Sequence, residues 1–229
     1  KKFAKATALM LSAIDPVRKI IIDEEKFTLG YRGRLRAISM AEEKHERISE
    51  IFSHIQDKDH TIIYCSDGKS CFEGTPRVNA TEEIRHLEYI LHLINTSCLS
   101  SVGSGKASKF TATEDIQERM QLIDSFNKGY IEYLVAIRCL DEGINIPSIK
   151  SALILSSNDN YREFVQRRGR ILRLYPGKEK AHIYDVIVLP SILNKAFAQI
   201  EFRRYFEYSR LALNKDILVD KLERLMSDY

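Results

Sequence analysis

The sequence has little net charge, few cysteines and no long apolar run. The formal net charge is only +3 over 229 residues, so the chain is no histone-like polycation, and any contact with nucleic acid must come from local patches. The four cysteines contain no C-x-x-C pair, which argues against structural zinc and a disulfide framework. No stretch approaches the ~18 apolar residues that a membrane span needs, and no signal peptide is visible. We therefore expect no membrane partner and a cytoplasmic, reducing setting.

The composition that is present suits a folded domain. Hydrophobic residues make up 44% of the chain and charged residues 29%, which is ordinary for a globular protein. The length fits one large domain or two small ones, and internal repeats and low-complexity tracts are absent. Because the chain begins at Lys1 rather than Met, we expect a fragment or a processed product of a longer protein.

Short apolar runs alternate with helical patterns along the chain. Helical periodicity runs from Arg34 to Gln56, while Gly30 and Gly33 favour a hinge or linker before it. Capping patterns predict further helices that open at Asn79 and Thr111. The predicted strands cover residues 61–65, 98–102, 131–140, 151–156 and 181–189. This alternation indicates an α/β fold with a three-layer arrangement, in which helices cover both faces of a parallel sheet, and with helical extensions at both ends.

The four histidines on predicted helices carry no recognisable catalytic pattern. We expect them to be surface or half-buried residues without catalytic work. They are His45, His54, His86 and His92.

The most specific pattern is the octet at residues 166–173, which reads Q-R-R-G-R-I-L-R. At about 100° per residue on an ideal helix, Gln166, Arg170 and Arg173 fall in one narrow sector. The other side carries Tyr161, Phe164, Val165, Ile171 and Leu172. Two guanidinium groups presented together suit phosphate oxygens, whereas a solvated basic face is the alternative interpretation. Arg168 falls within the apolar side, so we expect an irregular helix near Gly169.

The chain lacks a phosphate-binding loop of the G-x-x-x-x-G-K-S/T type. For the pattern at 68–70, Ile63 stands where the first glycine is needed. For the pattern at 103–106, Ala107 stands where a hydroxyl must ligate Mg²⁺. No D-E-x-D/H box follows a strand either. The sequence therefore lacks the parts that hold ATP and Mg²⁺.

The order of the motifs resembles the C-terminal RecA-like domain of a superfamily 2 DNA helicase or translocase. The resemblance covers about residues 34–189. It rests on the strand and serine at 61–66 (motif IV), the helix at 118–129 that precedes motif V, the stretch 135–147 (motif V) and the octet 166–173 (motif VI). Each motif apart from the last is weak alone, but their order and spacing make a specific signal.

This resemblance implies half of an ATP-dependent motor. Residues 1–33 would be a linker or helical segment from a missing first lobe, 34–190 the RecA-like domain and 191–229 a helical extension. ATP and Mg²⁺ would be held mainly by the missing lobe, so the fragment alone would be inactive as an ATPase. The implied partners are that N-terminal lobe and a nucleic acid, with DNA favoured over RNA.

The resemblance also assigns roles to individual residues. Arg170 and Arg173 would be the catalytic arginine fingers, and Gln166 a polar contact at the cleft between the lobes. Gly143 and Asn145 would also bind nucleotide, Gly143 by allowing close backbone approach. Asn145 stands where the family usually has Asp for the ribose, and an ordinary turn is the alternative interpretation of this segment. The candidate nucleic-acid contacts are Ser66, Asp67, Ser104 and Arg138.

Two other classes of function stay open. One is a RecA-like module that never completes a motor and binds nucleic acid or a protein partner. The other is a small stand-alone NTPase that uses residues 68–70. An upstream P-loop and acidic box in the gene would favour the motor, and ATP turnover by the chain alone would favour the stand-alone NTPase.

Overall fold

The computed structural model describes residues 2–55, 59–70, 83–96, 107–137, 145–156, 161–189 and 195–227. In chain order the elements are α1 (Lys2–Leu11), α2 (Glu24–Ser39), α3 (Glu42–Glu46), α4 (Ile48–His54), β1 (Thr61–Tyr64), β2 (Lys69–Ser70), β3 (Ile84–Arg85), α5 (His86–Thr96), β4 (Ala107–Phe110), α6 (Ile116–Asn127), β5 (Tyr133–Ala136), β6 (Ser151–Ile154), α7 (Tyr161–Ile171), β7 (His182–Asp185), α8 (Lys195–Ser209) and α9 (Lys215–Ser227). Within these ranges, no helix has both the length and the apolar character to cross a membrane.

Five of the strands form a parallel sheet in the order β4-β5-β1-β6-β7. In the register of the central strands, Ile62 lies opposite Leu134 on one side and Ala152 on the other. Because every strand runs in the same direction, all five carboxyl ends meet at one edge of the sheet, which we call the carboxyl edge. Ligands of open parallel sheets bind beyond this edge.

Alternating side chains of the strands fill two separate cores. Ile63 belongs to a core with the buried residues of α4 and α5, and Ile62 to a core with those of α6 and α7. Side chains alternate between the faces of a strand, and β1 is buried on both faces. The predicted RecA-like three-layer α/β fold with helical extensions is confirmed.

Several predicted boundaries are wrong. α6 begins at Ile116 after a capping box formed by Asp115 and Glu118, not at Thr111. Ile116 and Met120, two apolar residues of this helix, are 78% and 66% exposed. β4 was not predicted, and the predicted strand at 98–102 and the helix start at Asn79 lie outside the described residues.

The N-terminal helices form a tightly packed hairpin instead of a hinge. Gly30 and Gly33 lie inside α2, and a Cβ at Gly30 would lie 2.5 Å from the backbone nitrogen of Met10 in α1. The expected helix at 34–56 is broken, because α2 ends at Ser39 and α3 and α4 follow. α2 runs without interruption across position 33/34, and the division of the chain into three segments stays a prediction.

A buried charge network joins α8 to the sheet. Arg204 donates to the Asp185 carboxylate at 3.0 Å and to both carboxylate oxygens of Glu201, at 2.5 and 2.8 Å. Lys44 lies near the same charges and donates to the Leu155 carbonyl at 2.5 Å, and its burial lowers its pKa to about 8. Two cations and two carboxylates thus offset one another where unpaired charge would be costly. α9 packs on α8 in a separate apolar cluster.

The contact between Gly30 and Met10 predicts opposite effects for two helical glycines. Gly30→Ala should lower the free energy of unfolding by about 1–3 kcal/mol, because the new methyl group overlaps the α1 backbone. Gly169→Ala should raise it by about 0.5–1 kcal/mol, because Ala favours helix and a Cβ there meets no described atom within 4 Å. Urea unfolding of both variants checks this, and a stabilised Gly30→Ala variant would contradict the packing.

Candidate functional site

The arginine helix α7 buries charged residues on its inner side. Phe164 and Ile171 are in the core as predicted, but Tyr161, Val165 and Leu172 are 47%, 37% and 50% exposed. The buried positions are taken by Glu163, Arg167 and Arg168 instead. The prediction of an apolar inner side is therefore wrong in part, because hydrophobic periodicity assumes that charges are solvated, whereas these charges have buried partners.

Arg167 fixes α7 to the carboxyl edge. Its guanidinium lies 2.5 Å from the Glu163 carboxylate and donates to the Ser156 carbonyl, just beyond β6, at 2.9 Å. It also stacks over the ring of Tyr64, at the end of β1, with 4.4 Å to the ring centroid. One side chain thus contacts the ends of two central strands and its own helix. Arg167 is 2% exposed, so it supports the site without reaching a ligand.

Arg168 pairs with the C-terminal helical extension. Its guanidinium donates to the Glu207 carbonyl and lies 3.7 Å from the Glu207 carboxylate. α7 continues through Gly169 and ends at Ile171. The expected irregularity at Gly169 is therefore wrong, because α8 supplies an acceptor that lets Arg168 stay on the inner side of a regular helix.

The outward side of α7 presents the predicted donors. Gln166 is exposed and Arg170 is half-buried. Arg173 lies two residues beyond the end of the helix, is exposed, and donates from its guanidinium to the side-chain oxygen of Asn145. The structure therefore brings together Arg173 and Asn145, which are 28 residues apart in the sequence. Gly143 lies outside the described residues.

The segment after α7 is held against the helix end by Lys178. Its ammonium donates to the carbonyls of Ile171 at 2.5 Å, Arg173 at 3.0 Å and Pro147 at 3.4 Å. A cation at a helix C-terminus satisfies the last carbonyls and offsets the negative end of the helix dipole. Partial burial lowers the pKa of Lys178. The same contacts tie the helix end to the segment that carries Asn145.

The loop after β1, residues 65–68, lies at the carboxyl edge of the sheet, and we call it the β1 loop. Ser66 is 7% exposed, and its hydroxyl accepts a hydrogen bond from the Gly68 backbone at 3.1 Å, while Asp67 is exposed. A Cβ at Gly68 would lie 3.2 Å from Nε of Arg36, so this exposed guanidinium sits over the loop. The next residues form β2, not a helix N-terminus that could bind phosphate.

Ser104 and Arg138, the other candidate nucleic-acid contacts, lie outside the described residues. Their assignment stays a prediction.

Two buried histidines support the β1 loop. Nδ1 of His45 lies 2.8 Å from the Ala41 carbonyl, and Nε2 of His45 lies 3.1 Å from Nε2 of His86. Nδ1 of His86 accepts from the Ser66 backbone N–H at 3.2 Å. A carbonyl only accepts and an N–H only donates, so each ring must be neutral, with the proton on Nδ1 of His45 and on Nε2 of His86. We call this chain of hydrogen bonds the histidine bridge.

The histidine bridge corrects the expectation for two of the four histidines. His86 is fully buried and His45 is 8% exposed, whereas His54 is exposed and His92 half-buried as predicted. Burial lowers the pKa of His45 to about 4 and that of His86 well below its usual value. The nearby ammonium of Lys44 adds to both shifts.

The donors on the outward side of α7 and just beyond its end suit phosphate better than a metal ion. The guanidiniums of Arg170 and Arg173 and the amide of Gln166 are hydrogen-bond donors of the kind that phosphate oxygens accept. In the part of the chain that the structure describes, no group of three or more His, Cys, Asp or Glu side chains could hold a metal ion. The described residues thus offer donors of the kind that phosphate groups accept, and no cluster of metal-binding side chains.

A family model decides what kind of domain this is. The helicase conserved C-terminal domain matches residues 43–175, which is more than half of the chain. The chain belongs to this helicase family. The predicted resemblance to the C-terminal RecA-like domain of superfamily 2 helicases is confirmed, and α3 to α7 with strands β1 to β6 form the matched part of this helicase domain.

Individual relatives of the helicase domain match only parts of longer proteins. The chain is 35% identical over 63 residues to the DNA 3'-5' translocase XPB2 of Sulfurisphaera tokodaii, covering 28% of this chain and 14% of that protein. It is 22% identical over 209 residues to a Methanocaldococcus jannaschii protein provisionally named an ATP-dependent RNA helicase, covering 89% of this chain and 24% of that protein. The chain thus spans less than a quarter of the length of either relative.

A solved structure similar to the helicase domain is the C-terminal domain of the DEAD-box protein Dbp5. The TM-score is 0.49 at 18% identity, and the alignment covers 74% of this chain and 81% of that one.

Three residues of the site were not singled out from the sequence. Arg167 lies within the octet, and its position four residues after Glu163 could have indicated a pair. Lys178 follows Pro176 and Gly177, a typical turn pair that could have predicted a return toward α7. Arg36 has no such signal, because its proximity to Gly68 depends on tertiary packing.

The histidine bridge predicts a loss of stability in mild acid. The unfolded chain takes up protons near pH 6.5, whereas folded His45 does so only near 4. Unfolding therefore becomes more favourable as pH falls from about 6.5 toward 4, by up to about 1.4 kcal/mol per pH unit for each histidine. Urea unfolding of His45→Gln at pH 7, 6 and 5 should show a weaker pH dependence than the unsubstituted chain. His54→Gln is the matched control, and equal flattening by both variants would refute this account.

The pairing of Arg167 predicts a large loss of stability on its removal. Arg167→Met should lower the free energy of unfolding by about 3–5 kcal/mol, because the buried Glu163 carboxylate loses its guanidinium. Arg224→Met should cost under about 1 kcal/mol, because its ion pair with Asp220 is exposed. Denaturant unfolding compares the two. If Arg167→Met combined with Glu163→Gln costs as much as the sum of the single changes, the two residues are not coupled.

Proposed function

We propose that this domain is the second motor lobe of an ATP-dependent nucleic-acid helicase or translocase, and that it supplies Arg170 and Arg173 to a nucleotide held mainly by another lobe of the same protein. The observation that carries the proposal is the exposed guanidinium of Arg173, oriented by Asn145 at the end of the arginine helix. An always-charged, planar donor held at an exposed position is suited to phosphate oxygens of a separate body.

The surroundings of Arg173 support this assignment. Gln166 and Arg170 lie on the outward side of the same helix. Between them, Gly169 has no described atom within 4 Å of where a Cβ would stand, so packing inside the described chain does not require glycine there. A glycine at this position would let a group from outside the chain approach the α7 backbone closely.

The catalytic work of this lobe would be electrostatic. ATP, when bound, supplies the γ-phosphate whose transfer to water releases free energy. Arg170 and Arg173 would neutralise the charge that develops there, an effect worth on the order of 10³–10⁵ in rate. Asn145 holds the Arg173 guanidinium, and Gln166 would add a hydrogen bond at the cleft. Closing and opening of the two lobes would couple hydrolysis to movement along a strand.

The β1 loop is the proposed contact with nucleic acid. It lies at the carboxyl edge, where Arg167 of the arginine helix contacts the ends of β1 and β6, and Arg36 adds an exposed cation directly over it. Phosphate contacts of this kind position the strand without reading its sequence. Two reasons favour DNA as the proposed substrate: the motif V pattern at residues 141–143, and the DNA translocase among the relatives. Because another relative is named as an RNA helicase, RNA should be compared with DNA in the same assay.

The finger assignment predicts a specific loss of turnover. In the complete protein, Arg173→Ala should lower nucleic-acid-stimulated kcat by about 10³ or more, while nucleotide affinity stays within a few-fold because other groups hold ATP. Arg173→Lys should recover little, because an ammonium lacks the planar fork. Steady-state ATPase assays and nucleotide titration measure the two quantities.

The controls separate the alternatives. Arg203→Ala, an exposed arginine on α8, should leave turnover unchanged. Normal turnover in Arg173→Ala would defeat the finger assignment, and ATP turnover by the purified 229-residue chain would favour the stand-alone NTPase. Stimulation by single-stranded RNA but not by DNA of the same sequence would overturn the choice of substrate.

A further inference from the structure

Lys178 makes more backbone contacts than a helix cap requires. Its three ammonium protons match three carbonyl acceptors, those of Ile171, Arg173 and Pro147. Ile171 is the last residue of α7 and Arg173 lies two residues beyond it, whereas Pro147 belongs to the segment after β5. An ammonium carries three donors and no acceptor, so one side chain satisfies both segments at once.

A tight turn brings Lys178 back to the helix. The Lys178 N–H donates to the Tyr175 carbonyl at 3.0 Å, and Gly177 has a φ of +75°. Pro176 at the second position and a positive-φ glycine at the third are the signature of a type II turn. The ammonium is therefore directed by a defined backbone conformation rather than by a free loop.

The contacts of Lys178 and Arg173 form a closed ring. Lys178 holds the Arg173 backbone and the Pro147 carbonyl, and the Arg173 guanidinium holds Asn145, two residues before Pro147. Arg173 is outside the helix, so the hydrogen-bond ladder of α7 does not fix its direction. In the described part of the chain, its own N–H makes a long 3.4 Å contact with the Arg170 carbonyl. The bond from Lys178 to the Arg173 carbonyl is shorter, at 3.0 Å, and constrains the backbone from which the guanidinium extends.

We propose that Lys178 is a positioning residue for Arg173: its ammonium locks the end of the arginine helix to the segment that carries Asn145 and so sets where the Arg173 guanidinium points. This role rests on the proposed function of Arg173. Among the described residues, the hydrogen bonds of the Lys178 ammonium all go to backbone carbonyls, so Lys178 acts through another residue and not on a reacting group.

The test uses the complete protein and a double-mutant cycle. Lys178→Met keeps most of the apolar stem and removes the ammonium. We expect stimulated kcat to fall about ten- to a hundredfold with little change in KM, because small misplacements of a catalytic group cost this much. Lys178→Met combined with Arg173→Ala should be no slower than Arg173→Ala alone, because Lys178 acts only through Arg173. Lys178→Arg should recover part of the rate.

A second measurement does not depend on turnover. Hydrogen exchange followed by mass spectrometry should show faster exchange at residues 171–178 and 145–150 in Lys178→Met, with no change elsewhere. Gly177→Ala, which strains the positive-φ turn but keeps the ammonium, should give the same local pattern. Lys180→Met, an exposed lysine two residues further along, is the matched control and should change neither readout.

The outcomes separate this inference from the function it rests on. If Arg173→Ala leaves turnover unchanged, the proposed function fails and the positioning role fails with it. If Arg173→Ala abolishes turnover but Lys178→Met does not change it, only the positioning role is overturned. A further loss in the double variant, or faster exchange throughout the domain, would show a general structural role for Lys178 instead.

Discussion

The position of the arginine helix depends on the buried guanidinium of Arg167. Its pairing with Glu163, its bond to the Ser156 carbonyl and its stacking on Tyr64 hold α7 across the ends of the two central strands. A buried ion pair gains little net free energy over an apolar pair, but breaking it is costly. Such a contact specifies one placement of the helix more than it adds stability. The placement of α7 in turn fixes the position of Gln166 and Arg170 on its outward side.

The sheet was predictable because its strands are simple. β1, β5 and β6 are buried along their whole length, so short continuous apolar runs were a sufficient signal. β4 was missed because Ala107–Phe110 includes polar Ser108 and Lys109, and a strand at the sheet edge pairs on only one side. α6 was found, but its start was misplaced, since Thr111 and Asp115 both have a Glu three residues later and only tertiary context chooses between them.

The candidate site was predictable only in part. The octet identified the arginine helix, because its donors lie close together in the sequence. The bond between Arg173 and Asn145 and the contact of Lys178 with Pro147 join segments that only the folded sheet brings together. The histidine bridge could not be predicted from the sequence, because it also depends on tertiary contacts. A histidine on a helix is usually half-exposed, and only a buried acceptor such as the Ala41 carbonyl makes burial acceptable.

The charge network at Arg204 has a practical consequence for measuring rotation of this domain with a fluorescent label. Because α8 is joined to β7 by the buried ion pair of Arg204 with Asp185, and α9 packs on α8 through Leu222, both helices should turn with the sheet as one rigid piece. A fluorescent dye on the solvent side of α9 would therefore report rotation of the entire domain. It would do so without altering any side chain at the carboxyl edge.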